Sequence, residues 1–187
     1  PVFKVTPTLQ KGFADFLSLK NYQNVKTVKV MRRRLANDAE DVGVPLRCMD
    51  APDEDFLAAS AALSGLNRPE LIKIHCRNLK SIAVPHVFVE ALDGNKIIGC
   101  GYGTAEHGLV GIYDLHVASA YRRRGIGTAV CRAVFRFGMR RRAESAYLIV
   151  HGKNQNAVSL YSHMGFTTLY EYSFYSKPHP LWKIEDA

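Results

Sequence analysis

The stretch RRRGIGT at residues 122–128 places three arginines directly before a predicted helix, because apolar residues from Ile126 onwards recur at helical spacing. A helix N-terminus has a partial positive charge and unpaired N–H groups, so it disfavours cations and favours an anion. Glycine allows the backbone to approach such an anion closely. The stretch therefore predicts an anion site, whose candidate ligands are Arg122, Arg123, Arg124, Gly125, Ile126, Gly127 and Thr128.

The charge of the chain is concentrated around this stretch. The formal net charge is +8, and residues 119–153 contain nine Lys or Arg but one acid, Glu144. The flanking regions are close to neutral, which favours a local anionic ligand over a general effect on solubility. The stretch has neither the full GxGxxG dinucleotide pattern with its following acid nor the Gly-Lys-Ser/Thr ending of a Walker loop.

A second motif follows about thirty residues later. The stretch LIVHGKNQNAVSLYSHMGF (148–166) predicts a strand, a short helix and a glycine C-cap. With the pattern Arg122-x-x-Gly125-x-Gly127 before it, the chain resembles the GNAT superfamily of acetyl-CoA-dependent N-acyltransferases over about residues 44–177. The resemblance implies coenzyme A binding, with acetyl-CoA as the acyl donor and its pyrophosphate on residues 122–128.

The resemblance also indicates which residues bind the pantetheine arm of acetyl-CoA. It implies that the backbone of Leu115, His116 and Val117 pairs with this arm like an additional strand. Asn154 would hydrogen-bond the arm or a bridging water; its alternative role is to cap a helix.

Two catalytic groups follow from the resemblance. Tyr161 has the position of the general acid in much of the family, and its alternative is an aromatic core residue. Asp114 is our candidate base, because IYDLHV followed by RRRGIGTAV is similar to aminoglycoside 3-N-acetyltransferases. Tyr113, His116 and Glu106 remain alternatives, acting directly or through water.

Three observations qualify these assignments. A carboxylate common in the family is replaced here by Gly111, which leaves the identity of the base open. Simple strand alternation predicts that Asp114 and Tyr113 point to opposite faces of the sheet. Cys131 lies among apolar helix residues, so we expect direct transfer in a ternary complex and no acyl-cysteine.

The fold class is predicted to be α/β (α+β). We expect a mixed, mostly antiparallel central sheet flanked by helices and splayed between the strands at 109–117 and 146–150. Asp93-Gly94 predicts a hairpin, whose second strand has glycines at 99, 101 and 103 on alternate residues. These glycines either relieve crowding or admit a ligand, and the sequence does not decide between the two.

The domain prediction comprises an N-terminal extension at 1–43, an acetyltransferase domain at 44–177 and a C-terminal tail at 178–187. Residues 16–33 align without a gap on residues 160–177, so that Leu17 falls on Tyr161 and Asn21 on Gly165. We hypothesise that the extension is the tail of a degenerate upstream GNAT-like unit whose apolar side chains pack on the main domain.

The leading functional prediction is a transferase, an N-acetyltransferase acting on a primary amine of a small molecule or peptide. One alternative is the same chemistry on aminoacyl-tRNA or a basic protein, suggested by a helical stripe of Arg132, Arg136 and Arg140. Another is a non-catalytic acyl-CoA-binding regulatory domain. We expect a cytoplasmic protein with no metal, no membrane partner and no nucleic-acid partner; a homodimer is a hypothesis. The four cysteines are expected to be buried, reduced thiols.

Overall fold

The computed structural model describes residues 1–36 and 43–178. Its strands are β1 (Val2–Val5), β2 (Gln23–Arg34), β3 (Leu46–Met49), β4 (His86–Asp93), β5 (Lys96–Glu106), β6 (Leu109–Val117), β7 (Ser145–His151) and β8 (Thr167–Ser176). Its helices are α1 (Phe13–Leu19), α2 (Glu54–Leu63), α3 (Pro69–Lys80), α4 (Ile126–Arg140) and α5 (Gln155–His163). The chain separates into a central unit, residues 33–148, and a terminal unit, residues 1–32 with 149–187.

In the central unit five strands lie in the order β7-β6-β5-β4-β3. The pairs from β3 to β6 are antiparallel, and β6 pairs with β7 in parallel. This pairing joins Leu109–Ile112 to Ser145–Leu148, whereas β6 itself continues to Val117. The predicted mixed, mostly antiparallel sheet is thereby confirmed, and the short parallel pairing agrees with the expected separation of these two strands.

Helix α4 packs against the face of β5 that bears the alternating glycines. A Cβ atom on any of these three glycines would overlap with, or closely contact, an apolar side chain of α4. The glycines therefore relieve crowding between strand and helix, which decides the question that the sequence left open. The close pairs are Gly99 with Ile126, Gly101 with Val130 and Gly103 with Val134.

The opposite face of this sheet carries α2 and α3. A buried cluster joins Phe56 and Leu57 of α2, Leu79 of α3, Phe88 of β4 and Cys100 of β5. Because Cys100 lies between the glycines of β5, its side chain points away from α4. The central sheet is therefore covered by α4 on one face and by α2 and α3 on the other.

An ion-pair network fixes the start of α2. The Oδ1 atom of Asp53 accepts a hydrogen bond from the backbone N–H of Phe56 at 2.8 Å, which caps the helix. Arg47 contacts Asp53 Oδ2 at 3.0 Å and donates to Oε2 of the fully buried Glu90 at 2.6 Å. The hydrogen bond to Glu90 is the main reason that the pKa of Arg47 is raised. Arg47 thus links β3, β4 and the first turn of α2.

In the terminal unit the strand order is β1-β8-β2-β7, and both β1 and β2 run antiparallel to β8. Helix α1 with β2 has the same arrangement as helix α5 with β8. In each case three residues separate helix from strand, and the middle one is left-handed, namely Asn21 with φ 62° and Gly165 with φ 82°. These two residues are 144 positions apart, as the sequence alignment of 16–33 with 160–177 requires.

The backbone hydrogen bonds of the two turns also correspond. The N–H of Tyr22 donates to the carbonyl of Leu17, and the N–H of Phe166 donates to the carbonyl of Tyr161, both at 3.0 Å. Donors and acceptors are again 144 positions apart. The similarity between the two segments therefore extends from side-chain pattern to turn geometry.

The pairing of β2 with β8 is symmetric under the same shift of 144 positions. Val28 lies opposite Tyr172, the residue that corresponds to it 144 positions later. The two register shifts leave one residue of each strand without a partner in the pairing, namely Val25 and Leu169. Val25 and Leu169 are themselves counterparts. The two strands, including their bulges, are consequently related by a pseudo-two-fold axis at Val28 and Tyr172.

Some expectations changed or fall outside the described residues. Cys100 and Cys131 are buried as expected, whereas Cys48 is exposed and Cys76 half-buried. Cys48 is exposed because β3 is the last strand of the central sheet. Apart from Pro178, the predicted tail at 178–187 lies outside the described residues, as do residues 37–42 of the predicted extension. Among the helices of the described ranges, none has the length and apolar character needed to cross a membrane.

Candidate functional site

The glycine-containing loop before α4 contains two left-handed residues. Arg123 and Gly125 both have positive φ, 63° and 76°, and Gly125 is the N-cap of α4. No side chain caps this helix. Left-handed residues in such turns orient successive N–H groups towards one concavity, to which the helix N-terminus adds its own donors. The helix begins at Ile126, where the sequence predicted it.

All three arginines before the helix are exposed. Arg122 donates from Nε to the carbonyl of Val117 at 3.2 Å. Arg124 lies over the ring of Tyr121 at 5.3 Å, and the hydroxyl of Tyr121 donates to Asp93 at 2.7 Å. The loop therefore presents positive side chains and unpaired helix donors together, which is the arrangement expected for a phosphate group.

The basic residues at the other end of α4 have a different setting. Arg140 is the last residue of the helix, and Arg141 is its C-cap, with its guanidinium 5.5 Å from the ring of Phe137. Cations are stabilised at a helix C-terminus. In the stripe on this helix, Arg136 and Arg140 are exposed and Arg132 is half-buried.

Strand β6 contains a bulge at Asp114, whose φ is 46°. His116 pairs with Cys100 and Tyr113 pairs with Tyr102, so three residue steps of β6 lie opposite two of β5. Tyr113 and His116 therefore belong to the same face of the sheet although they are three positions apart. The bulge interrupts the simple alternation on which the expected orientation of Asp114 relative to Tyr113 was based.

Asp114 itself is exposed, and its charge acts on this same face. Its carboxylate contributes to raising the pKa values of Cys100 and Tyr102, and it opposes the lowering of the pKa of His116. The structure thus brings Asp114, Tyr113 and His116 together in the central unit. Glu106 is exposed at the end of β5, 3.2 Å from the imidazole of His107.

The predicted pantetheine-binding backbone lies beyond the part of β6 that pairs with β7. His116 and Val117 pair with β5, and the pairing with β7 ends at Ile112. One side of the Leu115–Val117 backbone therefore faces away from β5, as addition of a strand-like ligand would require. The carbonyl of Val117 already accepts the hydrogen bond from Arg122.

Burial shifts the pKa values of His116 and Cys131. It is the largest cause of the lowered pKa of His116, so the imidazole is held towards its neutral form. Burial also raises the pKa of Cys131 to about 12. Cys131 is therefore a protonated thiol at neutral pH, which supports the expectation of no acyl-cysteine.

Sequence reasoning missed a tyrosine cluster next to these groups. The hydroxyls of Tyr113 and Tyr147 are 2.5 Å apart, and the ring of Tyr113 stacks on Tyr102 with centroids 5.1 Å apart. Tyr147 lies opposite Gly111 in the parallel pairing of β7 with β6. The signal available in the sequence was Gly111 two positions before Tyr113, since residues two apart share a face of a strand.

Asn154 and Tyr161 belong to the terminal unit. Asn154 is the N-cap of α5, and its Oδ1 accepts from the N–H of Ala157 at 3.1 Å. The capping role is therefore present, and contact with a ligand would use the amide nitrogen. Tyr161 is 8% exposed, and its ring contacts Phe166 edge-on at 5.8 Å between centroids.

Comparisons with known proteins bear on the family and the fold of the chain. The model of the acetyltransferase (GNAT) family matches residues 54–166, more than half of the chain. The chain is 23% identical over 176 residues to an uncharacterized N-acetyltransferase, YobR, of Bacillus subtilis (strain 168), covering 92% of this chain and 71% of that protein.

Solved structures show a similar fold. A GCN5-related N-acetyltransferase from Sphaerobacter thermophilus has a TM-score of 0.72 and 20% identity, covering 93% of this chain. A tandem GNAT protein from the clavulanic acid biosynthesis pathway has a TM-score of 0.71 and 13% identity, also covering 93%. The chain spans 58% and 63% of the length of these two proteins.

Proposed function

Because the chain belongs to the acetyltransferase (GNAT) family, we propose that it transfers an acetyl group from acetyl-CoA to a primary amine of a small molecule or peptide. The observation that carries this proposal is the loop before α4, in which Arg123 and Gly125 are left-handed and the helix has no side-chain cap. Titration with acetyl-CoA, followed by measurement of thiol release with a panel of amines, tests it.

We propose that acetyl-CoA binds as a substrate and that no metal takes part. Residues 122–128 would hold the pyrophosphate through backbone N–H groups and arginine side chains. The backbone of Leu115, His116 and Val117 would pair with the pantetheine arm, and the amide nitrogen of Asn154 would donate to the arm or to a bridging water.

The proposed chemistry is direct attack of the amine on the thioester carbonyl. A carbon–nitrogen bond forms, the carbon–sulfur bond breaks, and Tyr161 gives its proton to the departing thiolate and recovers one from water. Asp114 accepts the proton that the nitrogen loses as the amide forms. The exposed carboxylate of Asp114 beside His116 and Tyr113 supports this role, and the buried thiol of Cys131 supports transfer without a covalent enzyme intermediate.

The acceptor is proposed only as a class. The carboxylate of Asp114 favours an amine that arrives as a cation, and this amine must lose a proton before it attacks the thioester. The arginine stripe of α4 does not favour a nucleic-acid-linked acceptor, because solvated helix faces commonly have such charges. A cytoplasmic location and a homodimer remain hypotheses.

We also propose that residues 1–32 are a degenerate copy of residues 145–176. The copy is supported by the matched turns, by the symmetric β2–β8 register and by β1, which lies 144 positions before residues 146–149 of β7. Under the shift of 144 positions β1 corresponds to β7 and β2 corresponds to β8. A two-fold rotation therefore leaves the strand order β1-β8-β2-β7 unchanged. Leu17 replaces Tyr161 in the copy, so it lacks the proposed general acid.

This proposal explains the predicted extension as the end of a second GNAT-like unit. In its present form the copy contributes packing: Val28, Val30 and Tyr172 form a buried cluster. A strand that covers β8 also protects an edge that would otherwise be open to pairing with other chains.

A further inference from the structure

Tyr113 is held at the point where β6 and β7 stop pairing. It follows Ile112, the last residue of β6 in the parallel ladder, and Tyr147 precedes Leu148, the last residue of β7 in that ladder. The two hydroxyls lie 2.5 Å apart, so one donates a hydrogen bond to the other. The rings are nearly perpendicular, at 89°. A side-chain hydrogen bond therefore joins the strands where their backbones separate.

Two further contacts fix the ring of Tyr113. Its plane lies 17° from that of Tyr102, with centroids 5.1 Å apart. A Cβ atom at Gly111 would lie 2.5 Å from the Tyr113 hydroxyl oxygen and 2.6 Å from a ring carbon. The ring thus occupies the space that a side chain at Gly111 would fill, and its hydroxyl has one well-defined position.

We propose that Tyr113 and Tyr147 form a proton relay that converts the acceptor from an ammonium ion to a neutral amine before attack; this inference rests on the proposed acetyltransferase function. An ammonium ion has no lone pair, so it must lose a proton before it can attack the thioester. Tyr113 lies on the same sheet face as His116 and is close to Asp114, which places the pair beside the groups assigned to the acceptor.

The relay leaves both tyrosines unchanged. A nitrogen–hydrogen bond of the ammonium breaks, and its proton binds the Tyr113 oxygen while the Tyr113 proton passes to Tyr147. Tyr147 passes its own proton to water. The amine is then neutral, and the proton that it loses later, during amide formation, goes to Asp114.

The surroundings favour a relay over a permanent base. Burial, followed by the hydrogen bond with Tyr113, raises the pKa of Tyr147, so this phenol remains protonated at neutral pH. The titratable groups that act on the cluster are Asp114, Glu106 and Tyr102. Two of these are carboxylates, which favour a cation close to the pair.

The test compares two acceptors in the full chain: one primary amine with a pKa of about 10, and a fluorinated analogue of that amine that is already neutral at the assay pH. Tyr113→Phe and Tyr147→Phe keep both rings. For each variant we expect kcat/KM for the basic amine to fall by about 10²-fold and to recover as the pH approaches the pKa of the amine. The fluorinated analogue should lose little, and the Kd of acetyl-CoA should not change.

Tyr170→Phe, at an exposed position on β8, is the matched control and should behave as the wild type. Equal losses for the two amines would show that the tyrosines only support the fold, and wild-type rates in both variants would also overturn the relay. If the wild type acetylates neither these amines nor a wider amine panel, the proposed function fails, and the relay fails with it. If the wild-type enzyme is active and both variants have wild-type rates, the relay alone is refuted.

Discussion

Val28 and Tyr172 lie opposite each other on β2 and β8, and each is the counterpart of the other in two segments 144 positions apart. Only a two-fold relation places counterparts face to face in an antiparallel pair. Both side chains are buried, at 3% and 8% exposure. The N-terminal segment is therefore an integral part of the terminal unit, built on the same plan as the segment that carries Tyr161.

The first prediction concerns the stability that this segment provides. Leu17, the counterpart of Tyr161, is 2% exposed. Leu17→Ala should lower the free energy of unfolding by about 2–5 kcal/mol, because it leaves a cavity in a packed interior. Leu19→Ala, on the same helix but 82% exposed, is the control and should change it by less than about 0.5 kcal/mol. Coincident denaturant curves for the two variants would refute an integral role.

A second prediction tests the loop before α4. Gly125→Val places a β-branched residue at φ 76° and should weaken acetyl-CoA binding at least about tenfold, because the left-handed turn orients the phosphate donors. Gly108→Val introduces the same strain at φ 74° in the β5–β6 hairpin. Calorimetry should show unchanged affinity for this control. Equal affinities in both variants would remove the loop as the pyrophosphate site.

The role of Tyr161 gives a third prediction. Tyr161→Phe removes a hydroxyl but keeps the ring that contacts Phe166. We expect kcat to fall by about 10²-fold while the Kd of acetyl-CoA stays the same, because proton donation to the thiolate is lost and the ring is kept. Steady-state kinetics with calorimetry separates the two effects. Wild-type kcat would leave Tyr161 as a packing residue.

A fourth prediction follows from the lowered pKa of His116. Because burial lowers this pKa below its usual value of 6.5, the unfolded chain binds the proton more readily. The free energy of unfolding should therefore fall as the pH drops below about 6.5, and the loss should be complete below the lowered folded pKa. Thermal unfolding between pH 8 and pH 5 measures this effect.

His116→Gln should reduce this pH dependence, because a glutamine does not titrate. His163→Gln, at an exposed position on α5, is the matched control for the substitution itself. A pH dependence that survives unchanged in His116→Gln would show that another group is responsible.

The sequence predicted those features that depend on local residue types. The glycine turn before α4 and the start of α4 at Ile126 follow from glycines and helical spacing, both properties of a short stretch. The helix–turn–strand repeat was also visible, because left-handed turns select residues such as Asn21 and Gly165. Its two-fold register became evident only when β2 and β8 were paired.

The features that were missed depend on a partner strand. The bulge at Asp114 exists only relative to β5, so alternation along β6 alone is not enough to predict the face on which Asp114 lies. Tyr147 joins the cluster because β7 runs parallel to β6, a pairing that spans more than thirty residues of chain. The glycines of β5 were ambiguous for the same reason, since only the position of α4 identifies what they contact.

The measurement that tests the central claim most directly is thiol release from acetyl-CoA, followed together with product mass, across a panel of small and peptide primary amines. The account predicts that at least one amine stimulates release and gains one acetyl group for each thiol released. It further predicts that Gly125→Val reduces this rate at limiting acetyl-CoA, whereas Gly108→Val does not. Saturable acetyl-CoA binding with no amine-dependent thiol release would contradict the account and indicate a domain that binds acyl-CoA without transferring it.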